Sequence, residues 1–295
     1  MKKTALIAGL AMVALLGLSS CSAMFDSNVF QNAKLGQPDV AKLDTTSSTA
    51  IADMAQTESF FTDLAAAPDT KAAVLATLGV TSTTTTADVT TALAADPATA
   101  SDFALAATIE IKTTDAGVVV DNLMSQIPTF MAGTGGSPDM ATIMNAVMPA
   151  SVLAEVGVSA TPPQAFVDMV SSFTSAAEIF TALAAANTLP AASDYTTQDL
   201  AFFALASVAV DAVTPAAGFT PSTTGLSSDQ IKAEALWAAM SDPTATTSPI
   251  TIDPTKLDTS TLGTVGDTST LGNLLALAGI DLSKFTSSGT TTTTP

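Results

Sequence analysis

Two residue types are missing from this chain, and three others occur once. It has no histidine, all nine of its basic residues are lysine, and it holds one Cys, one Trp and one Tyr. Without histidine there is no Ser-His-Asp or Cys-His catalysis and no imidazole metal site. A single Cys excludes an internal disulfide and a zinc-thiolate cluster. Without arginine there is no planar fork for bidentate capture of phosphate or carboxylate. No Walker or dinucleotide-binding fingerprint occurs. The side chains left for chemistry are Asp, Glu, Lys, Ser and Thr.

Charge of one sign is also scarce. Acidic residues number 27 against nine basic ones, giving a formal charge of −18 and a pI near 4.1. Nucleic acid and anionic lipid surfaces would repel such a chain, so neither is an expected partner, whereas a cationic protein surface or divalent cations would suit it. Hydrophobic residues make up 47% and charged residues 12%, enough apolar matter for a sizeable core and unlike a disordered chain.

The N-terminus carries the most specific signal. Lys2 and Lys3 precede an apolar run from Ala5 to Leu18, which ends in Leu18-Ser19-Ser20-Cys21. A basic start, a short apolar segment and small residues after it are the marks of an export signal. The run is about 14 residues, short of the ~20 needed to cross a bilayer. Leu18-Ser19-Ser20-Cys21 resembles the lipobox of bacterial lipoproteins. That resemblance implies cleavage between Ser20 and Cys21, diacylglycerol on the Cys21 thiol and an acyl chain on its new amine. Cys21 is then no longer a nucleophile, and those acyl chains are the only attached groups expected; no cofactor or metal is. Each buried CH₂ contributes ~0.8 kcal/mol, so several chains anchor firmly where one is marginal. Ser22, rather than Asp, follows the Cys, and in the family this implies an outer-membrane address.

Residues 21–47 read as a flexible tether, with an r.m.s. reach of roughly 25–30 Å. From residue 48 the apolar spacing is helical. Ser48–Ala66 places Ile51, Met54, Phe61, Leu64 and Ala65 on one face. Asp69 is placed to cap a short helix closing at Gly79, and a helix around Val89 and Leu93 stops at Asp96-Pro97. Ser137-Pro138-Asp139 is a helix start. Phe166, Val170, Phe173, Ala177, Phe180 and Ala184 recur at steps of four and three, an apolar seam ending near Asn187 and Pro190. Leu200–Val210 is apolar all round, which places it at the centre of a core. Ser227 and Gln230 form a capping box for a helix bearing Ile231, Ala235, Leu236 and Met240. Leu271–Ala278 is a last helix, and residues 286–295 a disordered tail. Thr108–Val120 alternates like a hairpin. A helix is preferred there because Phe103-Ala-Leu-Ala106 recurs as Phe203-Ala-Leu-Ala206 in a helical context.

Internal similarity runs through these segments. Phe61-Thr-Asp-Leu-Ala-Ala-Ala67 parallels Phe180-Thr-Ala-Leu-Ala-Ala-Ala186, and Leu93, Leu123, Leu153 and Leu183 are evenly spaced. Stacked helical hairpins produce such patterns. The pattern is distantly similar to tetratricopeptide-like envelope lipoproteins, although their Trp-Leu-Gly-Tyr positions are absent and no functional residue is carried over. Asp258-Thr-Ser-Thr-Leu-Gly263 recurs as Asp267-Thr-Ser-Thr-Leu-Gly272, a duplicated loop.

Few residues recommend themselves as a site. Glu58, Glu110, Glu155, Glu178 and Glu234 are scattered, with no aromatic setting suited to sugar stacking, and read as solvated helix-face acids. Gly133-Thr-Gly-Gly-Ser137 precedes a helix start without the spacing of a phosphate loop. Met140, Met144 and Met148 lie one turn apart. Core packing is their first reading, and an apolar groove shared with Phe166 and Phe173 is the functional one, ahead of copper binding.

The expected architecture is all-α: a multi-helix bundle or a helical-hairpin array over residues 48–285, between a tether and a tail. The expected function is non-enzymatic, a lipid-anchored scaffold or accessory subunit that binds envelope proteins. A carrier of an apolar small molecule or lipid is the alternative, and a carboxylate-based hydrolase a distant third. Cys21→Ala should abolish labelling by radioactive palmitate and leave the precursor uncut; a labelled, processed variant would refute the anchor.

Overall fold

The computed structural model describes residues 39–57, 59–132, 145–242, 247–257 and 270–277. The signal segment, Cys21, the Gly133–Ser137 loop, the helix start at Ser137, Met140, Met144, Glu58, the first copy of the duplicated loop and the tail lie outside them.

The helix with the apolar seam is the axis of the fold. It runs Gln164–Ala185 (α8 in the order below), and all six seam residues are buried, along with Met169, Ile179 and Leu183. With apolar side chains on most of its circumference it must be covered on several sides. Before it come α1 (Ser48–Ala55), α2 (Phe60–Ala65), α3 (Pro68–Thr77), α4 (Thr86–Ala95), α5 (Ala100–Lys112), α6 (Asp115–Ala132) and α7 (Ala150–Leu153). After it come α9 (Thr197–Asp211), β1 (Val213–Pro215), α10 (Ser228–Ser241), β2 (Ile250–Ile252), α11 (Pro254–Leu257) and α12 (Thr270–Leu277). Among the described residues the fold is all-α apart from the ribbon of β1 and β2.

α8 packs most extensively on α9 and α5 and also touches α4, α6, α10 and α12. In a hairpin array each unit meets only its sequence neighbours. Of the two arrangements expected, the chain therefore adopts the bundle, wrapped around one helix. α8 has the length and apolarity of a membrane-crossing segment, but most of that surface is buried inside the bundle.

Sequence dictates the helix ends. Thr85 and Asp88, Thr196 and Asp199, and Ser227 and Gln230 form reciprocal capping boxes at α4, α9 and α10. Hydrogen bonds from Thr85 hold the Asp88 carboxyl below its ordinary value. α3 ends on Gly79 at φ +84° and α8 on Asn187 at φ +50°. At each end the next residue's N–H reaches five residues back, Val80 to Leu75 and Thr188 to Leu183, so the last carbonyls are satisfied.

Five expectations are corrected. Residues 39–47 belong to the folded domain rather than the tether: Val40 is buried, and Thr77 donates to the Thr45 carbonyl at 2.5 Å. Ser48–Ala66 is two helices, because Thr57 donates from both its amide and its hydroxyl to the Met54 carbonyl and closes α1. The phase then shifts, so that Phe60, not Phe61, is fully buried and Ala65 is exposed. Asp69 lies in the first turn of α3 without capping it; Pro68 begins that helix. On α10 the buried face is Lys232, Ala233, Ala235 and Trp237, whereas Ile231, Leu236 and Met240 are half-buried. The fifth is the ribbon, in which Val213 pairs with Ile252 and Pro215 with Ile250, unforeseen because each strand has only three residues. Residues 108–120 are helical, as preferred, with α5 and α6 meeting at a corner over Thr113 and Thr114.

Lys232 is buried because it has somewhere to go. Its Nζ donates to the Asp211 carboxylate at 2.9 Å and to the Asp211 carbonyl at 3.0 Å, at the C-terminal end of α9. Lys256 of α11 holds the other carboxylate oxygen at 2.6 Å. The cluster ties α9, α10 and α11 together beneath the ribbon. Nearby, Trp237 meets Phe166 edge-on at 5.1 Å and donates from Nε1 to the Ser159 carbonyl at 3.0 Å.

Asp211→Ala should cost ~3–5 kcal/mol, because it strands a buried ammonium. Lys256→Ala, at a more exposed position, should cost under about 1 kcal/mol. Urea unfolding followed by fluorescence of the sole Trp, Trp237, measures both; equal losses would contradict this account.

Candidate functional site

The α5–α6 corner opens onto a cleft. Gly117, in the first turn of α6, lets that helix press against the end of α5. A Cβ there would lie 3.1 Å from Lys112 Cα and 3.2 Å from the Ile111 carbonyl oxygen. The close approach brings Lys112, from the last turn of α5, alongside Asp121 on the next turns of α6. Their ion pair measures 2.5 Å.

The opposite wall comes from two distant segments. Ala192 and Tyr195 exchange backbone hydrogen bonds of 3.1 and 3.0 Å across a tight turn just before α9. Ser193 in that turn holds φ +56°, a conformation unfavourable for a residue with a Cβ. Its hydroxyl donates to the Ala55 carbonyl, which fixes the turn against the end of α1. Tyr195 is then wedged between Phe203, at 5.0 Å between ring centroids, and Phe61, at 6.2 Å. Lys112 Nζ stands 5.5 Å from the centre of the Tyr195 ring, within reach of a cation–π contact.

Between these walls lies an open cleft of about 440 Å³, the size of a small-ligand or side-chain pocket. Phe61, Val118 and Tyr195 supply apolar surface; Lys112, Asp121, Asp194 and the Thr57, Thr62 and Thr114 hydroxyls supply polar groups. Val118 is 43% exposed at its lip, one of two large hydrophobic residues exposed to that degree among the described residues, the other being Val158.

No protein-family model matches this chain, and no curated protein or solved structure shows significant similarity to it. Its function must be read from its own residues.

The residues singled out from sequence sit elsewhere. Phe166 and Phe173 are each 1% exposed and belong to the core, and Met148 is half-buried against it. Where the structure describes them, the members of the expected apolar groove pack into or against the core. Three of the glutamates find structural work, whereas Glu155 is exposed, as expected. Glu110 pairs with Lys71 at 2.8 Å, joining α5 to α3. Glu178 accepts from the amide and hydroxyl of Thr86 and so holds the N-terminus of α4 against α8. Glu234 accepts from the Ser222 amide at 2.9 Å. Among the described residues no three Asp, Glu, Cys or His side chains are grouped to hold a metal ion.

Burial sets the electrostatics of the cleft. It raises the Tyr195 phenol above the ordinary tyrosine value, with Lys112 partly offsetting it. For Lys112, burial alone would lower the ammonium; the hydrogen bond and charge of Asp121, with Tyr195, outweigh burial and raise it. Both shifts favour the protonated forms in the folded state. The stability they contribute is therefore present below pH ~10 and lost as pH rises through the raised values.

Tyr195 is the sole tyrosine, so near-ultraviolet phenolate absorbance titrates it alone. The native midpoint should exceed the ~10 of an ordinary tyrosine, return to it in urea, and climb further in Lys112→Met. A native midpoint at the ordinary value would contradict this description of the cleft.

Proposed function

We propose that this chain is a lipid-anchored lipoprotein of the outer membrane, working as a non-enzymatic scaffold or accessory subunit that binds another envelope protein at the Lys112–Tyr195 cleft. The observation that carries the reading is the cleft itself: open, of mixed lining, with exposed Val118 at its lip and a strained turn holding its far wall. Backbone strain of this kind costs of order 1–3 kcal/mol and collects at binding sites, where surrounding structure holds it in place. An apolar lining with polar groups at its edge matches the anatomy of a protein contact. The Leu18-Ser19-Ser20-Cys21 motif supports the anchor, and Ser22 the outer-membrane address.

The geometry favours this reading over the other two. A carrier of an apolar ligand needs an enclosed, dry cavity, whereas this cleft opens to solvent and holds an ion pair. Hydrolysis by paired carboxylates needs two of them free to act across one bond, and Asp121 is committed to Lys112.

A photo-crosslinking amino acid placed at Val118 should give a discrete protein adduct in intact cells. The same group at Asp69, exposed on α3 away from the cleft, should not. Matching results at the two positions would refute the proposal.

A further inference from the structure

The charges facing the cleft do not cancel. Among the described residues that line it, Lys112 is the one cation, and Asp121 already neutralises it at 2.5 Å. Asp194, exposed on the opposite rim, has no ion pair among the described residues. Its charge is close enough to Tyr195 to help raise the phenol. The cleft is thus net negative, in a chain of charge −18. Apolar surface lies beside the free carboxylate: Val118 and Phe61 line the cleft that Asp194 borders. The Ser193 hydroxyl, bonded to the Ala55 carbonyl, fixes the turn that presents Asp194. A group meeting both demands has an apolar stem ending in a cation. A basic side chain has that form, since its methylenes cover apolar surface while its head stays at a polar rim.

We infer that the cleft receives an arginine or lysine side chain of the partner protein, its stem against Val118 and Phe61 and its cation paired with Asp194. The inference rests on the protein-binding reading above and names the chemistry of the partner. Opposite charge also speeds encounter, because the acidic surface attracts a basic partner before contact and repels an acidic one. Arginine fits better than lysine, because its planar fork meets a carboxylate through two hydrogen bonds.

The test uses the full chain in detergent micelles and three fluorescein-labelled peptides, Gly-Ala-Leu-X-Leu-Ala-Gly with X as arginine, norleucine or glutamate. Fluorescence anisotropy should show the arginine peptide binding most tightly, the norleucine peptide weaker by about fivefold, and the glutamate peptide weakest. Asp194→Asn should weaken the arginine peptide by about fivefold, leave the norleucine peptide unchanged and leave urea unfolding unaltered. Equal affinities for the three peptides, tighter binding of norleucine, no binding of the arginine peptide, or indifference to Asp194→Asn would each overturn the inference. The Val118 adduct separates this failure from that of the wider reading. An adduct that excess arginine peptide does not compete away refutes the basic side chain but leaves protein binding intact. The lack of any adduct refutes both.

Discussion

The burial of α8 is the constraint on which the rest of the structure depends. Phe166, Val170, Phe173, Phe180 and the residues between them leave no broad polar face, so the helix is stable only when covered. Fully burying one such side chain contributes ~1.5–3 kcal/mol, and α8 carries many. α5 and α9 cover it most extensively, and both have buried residues round much of their circumference. The order of the chain follows from this demand. α4, α5 and α6 cover α8 from the N-terminal side of the sequence, and α9, α10 and α12 from the C-terminal side. α1 to α3 form a peripheral group that docks through α2, through the Lys71–Glu110 pair and through the contact of Ser193 with Ala55.

A second constraint is the shortage of positive charge. An excess of acid repels itself in a compact state, and every lysine among the described residues is used against it. Lys42, Lys71, Lys112, Lys232 and Lys256 each pair with a carboxylate. The exposed Lys42–Asp39 pair lies within one turn; the other four join different elements. Of these, the buried Lys232–Asp211 pair adds little net stability over apolar packing, but removing one partner is costly. Their value here lies in position. Lys232 and Lys256 gather three helices on one carboxylate, and Lys112 shapes a wall of the cleft. Acidic and hydroxyl side chains do much of the remaining polar work, as N-caps and as the Glu178 clasp on α4.

How much of this could be read from sequence depended on the range of the interaction concerned. The seam of α8, the apolar α9, the Ser227–Gln230 box and the stop at Asp96-Pro97 follow from residues within a few turns of each other, and the structure bears them out. The boxes at Thr85 and Thr196 were missed because Asp stands where Glu or Gln is the usual partner. The break after Ala55 involves neither glycine nor proline, only a threonine that bonds backward. On α10 the local apolar spacing points to Ile231, Leu236 and Met240, and what turns Lys232 inward instead is Asp211, 21 residues away. The cleft was the least visible feature. Its walls come from around residues 55–62, 112–121 and 193–195, and no local pattern announces that they meet. Gly117 lies within the stretch Thr108–Val120 that alternates like a hairpin; its role is to let two helices touch.

The claim most open to direct attack is that the domain is one cooperative bundle organised around α8. Native-state amide hydrogen exchange, resolved helix by helix, measures this. The account predicts that the amides of α8 and α9 exchange last and together, with an opening free energy equal to that of global unfolding reported by Trp237 fluorescence. Exchange from α8 as fast as from α1 to α3, or α8 and α9 opening as separate units, would contradict it.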